Sequence, residues 1–259
     1  MEKTAVKRLL HTLVPFLIMV ALLKGIALLL DRFFTLDSAL ADLISFIPAA
    51  LAAILLFRLR TYEVPGDDSA DATEPLRPRG FPRCLLLLAA NFALLVGLTY
   101  LMAELNGSAA SEVVHTDRVP TLGVLPILSL CVIHPLIEEW IFRRNFYGEL
   151  RLMNPIFGCL AQAVLFAIVH DTVDGMLFAL GAGILLGALT EFSGRLWPAV
   201  AAHVGINLRS LFGLTLLAER GEIVNAADIA FGVVGAAALI ALVILRHREA
   251  KAEKEEAAA

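Results

Sequence analysis

Long apolar segments alternate with short polar ones along almost the whole chain. A helix needs about 20 apolar residues to cross the hydrocarbon core of a bilayer, and most of these segments are close to that length. The pattern predicts an all-α, polytopic transmembrane bundle of about eight spans. The predicted spans are residues 9–30, 39–57, 84–102, 121–150, 155–170, 173–191, 197–217 and 228–246.

Lysine and arginine concentrate in alternate loops and so predict the orientation of the bundle. They are frequent in residues 1–8, 58–83 and 246–254, and Arg151 occupies the turn between the fourth and fifth spans. They are scarce in the alternate loops, near Asp37, Glu112 and Asp228. Because basic loops stay on the cytoplasmic side, both termini are predicted to be cytoplasmic. The first apolar run is longer than a signal-peptide core and is not followed by a small-residue cleavage site, so it is expected to be retained as a helix.

Composition divides the chain into four predicted regions. Residues 1–57 form an N-terminal pair of transmembrane helices. Residues 58–83, rich in proline, glycine and acidic side chains, form a cytoplasmic linker. Residues 84–246 form the transmembrane bundle that carries the candidate site, and residues 247–259 form a polar tail.

The overall composition supports a membrane protein and excludes some other classes. Hydrophobic residues make up 59% of the chain, against about 45–50% in soluble domains, and the mean hydropathy is +0.79. The net charge of -4 is small, and the sequence shows no basic face and no interleaving of aromatic and basic residues, so no nucleic-acid partner is expected. The lipid bilayer is the predicted environment, which would be the inner or plasma membrane of a bacterial cell. The three cysteines are widely spaced, which predicts buried thiols and no cysteine metal site.

The fourth span contains charged residues that a lipid-facing helix would not carry. The stretch "HPLIEEWIFRR" runs from His134 to Arg144 between two apolar segments. If the helix ended at Glu138, these charges would be interfacial. The helical spacing of Ile141, Phe142, Phe146 and Leu150 instead predicts that the helix continues to about residue 150. Glu138 then lies roughly 20 Å from its cytoplasmic end, where an ionisable side chain is a functional candidate.

The two adjacent glutamates have different predicted partners. Glu139 and Arg143 are four residues apart and can pair on one helix face. Glu138 points about 100° away, lacks that partner and can act as a general base. Pro135 is expected to kink the helix and to free a backbone carbonyl near the site.

Two further spans carry polar residues at candidate positions. His170 ends the segment "FAIVH" and reaches a depth similar to that of Glu138, although a histidine at a helix end is also typical of a cap or an interface. His203 and Asn207 are four residues apart in "HVGIN" and share a helix face. They could hydrogen-bond between helices or donate to a developing oxyanion, and the spacing leaves both open.

The remaining intramembrane polar residues have simpler interpretations. Asn91, Gln162 and Thr190 are predicted to hydrogen-bond between helices, and Glu191 is predicted to be interfacial. Three small residues predict close helix packing. They are Gly181, Gly183 and Gly187.

The three motifs, in this order on three spans, resemble the CAAX prenyl protease and bacteriocin-processing family, which is the type II CAAX prenyl endopeptidase-like group of intramembrane proteases. The matching stretches are "EEWIFR", "FAIVH" and "HVGIN", and the resemblance covers about residues 120–210. One position departs from the family pattern. Arg144 stands where the family usually has glycine, which bears on substrate preference more than on the chemistry.

The resemblance implies an intramembrane endopeptidase. In the family's chemistry, Glu138 would activate a water molecule with help from His170, and His203 and Asn207 would stabilise the tetrahedral oxyanion. The implied substrate is a peptide or protein, with lipidated and membrane-anchored substrates included.

The resemblance also implies supporting residues and leaves a metal open. Glu139 and Arg143 would hold the geometry of their helix. If zinc takes part, Glu138, His170 and His203 would be its ligands. The chain has no His-Glu-x-x-His motif, and we favour a glutamate–water mechanism that requires no cofactor over a metalloprotease.

Two alternatives belong to other functional classes. A non-catalytic scaffold, or an immunity or chaperone-like protein, could retain the protease fold, but such a protein could lose Glu138 freely. A transporter with a mid-membrane polar site is disfavoured because the chain shows no inverted repeat and no paired broken helices.

Overall fold

The computed structural model describes residues 2–36, 38–58, 79–106, 124–170, 172–215 and 221–258. These residues form eight helices and no strand, which confirms the all-α prediction. The helices are α1 (Glu2–Phe33), α2 (Ser38–Arg58), α3 (Phe81–Asn106), α4 (124–150), α5 (Pro155–Ile168), α6 (Val173–Ser193), α7 (Trp197–Thr215) and α8 (Gly221–Ala258).

Five of the helices are long and apolar enough to cross a membrane, and the chain is an integral, multi-pass membrane protein. Helix α5 is apolar but shorter, and α4 and α7 carry the polar residues of the candidate site. Spanning by these three helices, and the cytoplasmic placement of both termini, stay predictions. The five apolar segments are Ala5–Phe33, Leu40–Phe57, Phe81–Met102, Val173–Ser193 and Asp228–Leu245.

Helix α4 is continuous past the two glutamates, as the apolar spacing predicts. It differs from the predicted regular helix in containing two π-helical segments, Ser129–Ile133 and Trp140–Tyr147. The α-helical stretch His134–Glu139 lies between them. Segments of π-helix widen a helix locally and are frequent at functional sites. The wider turn changes the direction in which the side chains on either side of it point.

Pro135 explains where the first π segment ends. The His134 N–H donates to the carbonyl of Ser129, five residues back. The next donor in that register would be residue 135, but proline has no N–H. The carbonyl of Leu130 instead accepts a hydrogen bond from Asn207 Nδ2 on α7, at 2.9 Å. The freed carbonyl that the sequence predicts is therefore used to join two site-bearing helices.

An aromatic cluster packs the N-terminal helices against α4. The Phe146 ring lies 6.0 Å from Phe16 on α1, 5.2 Å from Phe57 on α2 and 5.3 Å from Phe142, measured between centroids. Phe142 continues the cluster to Phe166 on α5, at 5.0 Å. Aromatic pairs at these separations and tilts favour packing beyond the area that they bury. The helix that carries both glutamates is thus held from two sides.

The predicted division of the chain stays a prediction, but the contacts bear on it. Arg8 Nη1 on α1 lies 3.0 Å from Glu149 Oε1 at the end of α4, and both side chains are almost completely buried. Of the predicted linker 58–83, residues 59–78 lie outside the described residues. The predicted polar tail continues α8 as far as Ala258.

Polar residues between the helices follow the sequence predictions in part. Asn91 Nδ2 on α3 donates to a carbonyl of α6 at 2.7 Å, and Gln162 Nε2 on α5 donates to another at 2.8 Å, so both predicted interhelical bonds are confirmed. The prediction for Thr190 is wrong, because its hydroxyl donates to a carbonyl one turn back in its own helix.

Replacing Gly183 with alanine is expected to destabilise the protein by about 1–3 kcal/mol, because overpacking forces neighbours apart. A Cβ at Gly183 would lie 2.9 Å from both the Cα and the Cβ of Ala163 on α5. Gly97→Ala is the matched control, because a Cβ there meets nothing within 4 Å. Thermal unfolding in detergent would compare the two variants, and equal stabilities would contradict close α5–α6 packing at Gly183.

Candidate active site

Helices α4 and α7 bring Glu138, Glu139 and His203 together at a largely buried polar centre. Glu138 and Glu139 end the α-helical stretch of α4, and His203 and Asn207 lie one turn apart on α7. His170 lies just beyond the end of α5. Asn207 fastens α7 to α4 through the Leu130 carbonyl, which keeps the histidine of α7 opposite the glutamates of α4.

His203 lies between the two glutamates and contacts each with a different ring nitrogen. Its Nδ1 is 2.8 Å from Glu139 Oε1, a buried hydrogen bond. Its Nε2 is 3.6 Å from Glu138 Oε2, which is longer than a normal hydrogen bond. The Glu138 side chain is 15% exposed, whereas that of Glu139 is 0% exposed. The glutamates therefore differ in partner and in access, and the accessible one faces the unanchored nitrogen of His203.

Glu139 also pairs with Arg143, as their spacing predicts. Arg143 Nη1 lies 2.9 Å from Glu139 Oε1, and both side chains are completely buried. The contact is ionic, since the N–H groups of Arg143 form no aligned hydrogen bond within the described residues. The guanidinium carbon lies 4.6 Å from the centroid of the Phe166 ring, a cation–π contact that further compensates its buried charge. Arg144 beside it is exposed.

His170 is linked to this centre through Phe166. Its Nδ1 lies 2.9 Å from the Phe166 carbonyl oxygen. As donor in that bond, the neutral ring has its proton on Nδ1 and a lone pair on Nε2. The Phe166 ring stands edge-on to His170 at 5.0 Å and to His203 at 5.8 Å. Phe166 therefore spaces the two histidines and covers Arg143.

The predicted zinc ligands do not form a recognisable metal site. Within the described residues, no three His, Cys, Asp or Glu side chains converge in a way that could hold a metal ion, and this includes Glu138, His170 and His203. His203 Nδ1 is engaged by Glu139, which leaves Nε2 as its candidate ligand atom.

Asn207 has one demonstrated contact and one predicted role. Its hydrogen bond to the Leu130 carbonyl is an interhelical bond, one of the two alternatives that its spacing left open. The amide carries two hydrogens, and this bond uses one of them. Donation of the second hydrogen to an oxyanion stays a prediction.

Sequence reasoning missed a second polar cluster at the end of α4. Glu191, predicted to be interfacial, is half-buried and accepts hydrogen bonds from Arg151 Nε at 2.9 Å, Arg151 Nη2 at 3.0 Å and the Tyr147 hydroxyl. The hydrogen bond with Glu191 raises the pKa of Arg151. The four-residue spacing of Tyr147 and Arg151 was the feature of the sequence that could have indicated this cluster. The cluster joins the end of α4 to α6, as Arg8 and Glu149 join it to α1.

Comparison with known proteins places the candidate residues in a segment that is similar to a family of endopeptidases. Residues 120–209 match the family model described as "Type II CAAX prenyl endopeptidase Rce1-like". The family resemblance is confirmed over this segment. It includes all of the candidate site residues, from Glu138 on α4 to Asn207 on α7, and leaves α1, α2, α3 and α8 outside.

A curated relative supports the same assignment over a similar length. The chain is 31% identical over 84 residues to the protein named "Putative membrane peptidase YdiL" from Bacillus subtilis (strain 168). The aligned segment is 32% of this chain and 34% of that relative, so it spans about a third of the relative's length. No solved structure matches the chain significantly.

Proposed function

We propose that the protein is an intramembrane endopeptidase that hydrolyses a peptide bond near the membrane with a water molecule activated by Glu138. The observation that carries the proposal is the position of Glu138. Its carboxylate is partly accessible, lies 3.6 Å from His203 Nε2 and belongs to the segment that matches the prenyl endopeptidase family. The substrate is a peptide or protein, with lipidated and membrane-anchored substrates included.

The proposed reaction begins with general base catalysis. The water oxygen attacks the carbonyl carbon of the substrate while Glu138 takes one water proton, with His170 helping to orient the water. A tetrahedral oxyanion forms. Glu138 then gives its proton to the amide nitrogen, the C–N bond breaks, and a carboxylic acid and an amine leave. The acid releases its proton to the amine or to water and becomes a carboxylate. A positioned carboxylate typically contributes about 10²–10⁴-fold to such proton transfers.

The charges around His203 fit stabilisation of the oxyanion. With Nδ1 directed at Glu139, Nε2 can donate to an oxyanion if the ring is protonated. In that state Glu138, Glu139, Arg143 and His203 carry two negative and two positive charges, a balance that a low-dielectric site favours. Transfer of a proton to Glu138 then leaves a net positive charge of one, which complements the oxyanion. Asn207 is the proposed second donor.

The proposal is tested on purified protein in detergent with a panel of prenylated and unprenylated membrane-proximal peptides. Wild type is expected to cut a peptide at a defined bond, identified by mass spectrometry, and Glu138→Gln is expected to leave it intact. The same fragments from both proteins would show that the activity is a contaminant. A folded wild type that cuts none of the panel, in a host that tolerates Glu138→Gln without a phenotype, would favour the scaffold function.

A zinc chelator is expected to leave kcat unchanged, because the proposed steps use a carboxylate and imidazoles alone. The measurement is the initial rate of peptide cleavage before and after prolonged treatment with the chelator. A rate that falls and recovers on adding Zn²⁺ would contradict the metal-free mechanism. Glu138, His170 and His203 would then be the ligands to replace.

A further inference from the structure

One titratable side chain near Glu138 has no role in the proposed reaction. His134 opens the α-helical stretch of α4 and lies four residues before Glu138. Residues four apart in an α-helix lie on the same face, and this stretch is α-helical between the two π segments. His134 and Glu138 therefore lie one above the other on the same side of α4.

The His134 ring is held in a fixed orientation. It stacks on Phe46 of α2 with ring centroids 4.0 Å apart and planes 18° apart. Its charged and titratable neighbours come from three helices: Glu138 on α4, Asp42 on α2 and His203 on α7. The ring is therefore close enough to Glu138 and His203, the two proposed catalytic side chains, to interact with them electrostatically.

The Nε2 atom of His134 is buried and forms no hydrogen bond within the described residues. A buried polar atom without a partner is unfavourable. A phenylalanine at this position could stack on Phe46 equally well without that cost. A buried imidazole nitrogen without a partner, one helical turn from Glu138, is the arrangement expected where a ligand supplies the missing partner during function.

We propose that His134 is a further catalytic residue, whose Nε2 hydrogen-bonds to an oxygen atom of the reacting groups beside Glu138. The oxygen belongs either to the hydrolytic water or to the substrate carbonyl. In the first case His134 and Glu138 together orient the lone pair of the water towards the carbonyl carbon. In the second case His134 helps to hold the scissile peptide. The proposal rests on the proposed peptidase function.

Two substitutions separate the hydrogen bond from the packing of the ring. His134→Phe keeps the stack on Phe46 and removes the nitrogen, whereas His134→Gln places an amide group near the position of Nε2. We expect His134→Phe to lower kcat/KM by about tenfold to a hundredfold, the loss that one well-placed hydrogen bond produces. His134→Gln is expected to restore most of it. A lower kcat at constant KM indicates the water, and a raised KM indicates the substrate carbonyl.

Two results would overturn the proposal: full activity in His134→Phe, or equal impairment of both variants, which would assign the loss to something other than the hydrogen bond. Glu138→Gln is assayed in parallel. If it cleaves as wild type does, the proposed function itself fails, whereas loss in Glu138→Gln with full activity in His134→Phe overturns the His134 proposal alone.

A measurement without substrate tests the same contact. In protein with ¹⁵N-labelled histidine, the His134 Nε2 resonance is assigned by its loss in His134→Gln. It is expected to shift in Glu138→Gln, because both groups would bind the same water. An unchanged Nε2 resonance would contradict a water shared with Glu138 and would leave the substrate carbonyl, tested by the change in KM, as the proposed partner.

Discussion

Replacing Glu138 with glutamine is expected to lower kcat by about a hundredfold to ten-thousandfold, the usual contribution of a positioned general base. Glutamine keeps the size and hydrogen-bonding reach of the side chain but cannot accept a proton. The fold should be unaffected, because the Glu138 side chain is partly exposed and its 3.6 Å contact with His203 Nε2 is longer than a normal hydrogen bond. The measurement is the steady-state rate of peptide cleavage, with KM expected to stay close to that of wild type.

The adjacent Glu139→Gln is the informative comparison for this prediction. Glu139 is fully buried and holds both Arg143 and His203, so its loss should lower stability as well as activity. Glu138→Gln should lower activity alone. If the two variants lose stability to the same extent, the division of roles between the adjacent glutamates is wrong.

Replacing Arg143 with leucine is expected to cost about 3–5 kcal/mol of stability, because removing one member of a buried pair leaves the other charge uncompensated. Arg143 and Glu139 are both completely buried, 2.9 Å apart. The measurement is the free energy of unfolding in mixed detergent micelles. Arg144→Leu is the matched control, since Arg144 is the next residue and is exposed, and surface substitutions usually change stability by less than about 0.5 kcal/mol.

A double variant separates the charge from the packing. Glu139→Leu with Arg143→Leu removes both buried charges and should recover most of the lost stability, because apolar replacements of a buried pair are often neutral. Its activity should stay low, since His203 Nδ1 loses its acceptor. A double variant as unstable as the sum of the two single variants would show that the pair is not coupled.

The sequence was most informative about local geometry. The spacing of Ile141, Phe142, Phe146 and Leu150 predicted that α4 continues past the glutamates, and the i,i+4 rule predicted the pairing of Glu139 with Arg143. Both depend on backbone periodicity and near neighbours. The apolar runs likewise predicted all eight helices, because a chain in a membrane can satisfy the hydrogen bonds of its own backbone by forming a helix.

The sequence could not predict which side chains meet across helices. It assigned no partner to Glu139 beyond Arg143, whereas His203, 64 positions away along the chain, also binds Glu139. The Leu130 carbonyl near Pro135 is likewise bound by Asn207 of another helix, a contact that a periodicity argument does not give. The contact between Arg8 and Glu149 likewise follows from how α1 packs. Such contacts depend on helix rotation and crossing angle, which a short pattern does not specify.

The most direct test of a peptidase that depends on Glu138 compares peptide termini in membranes of host cells. The cells carry either the wild-type protein or Glu138→Gln at equal abundance. New termini close to membrane-spanning segments are expected in cells with the wild-type protein. In cells with Glu138→Gln these termini are expected to be absent and the uncut proteins to accumulate. Identical sets of termini in the two membranes, with both proteins folded, would contradict a peptidase that depends on Glu138.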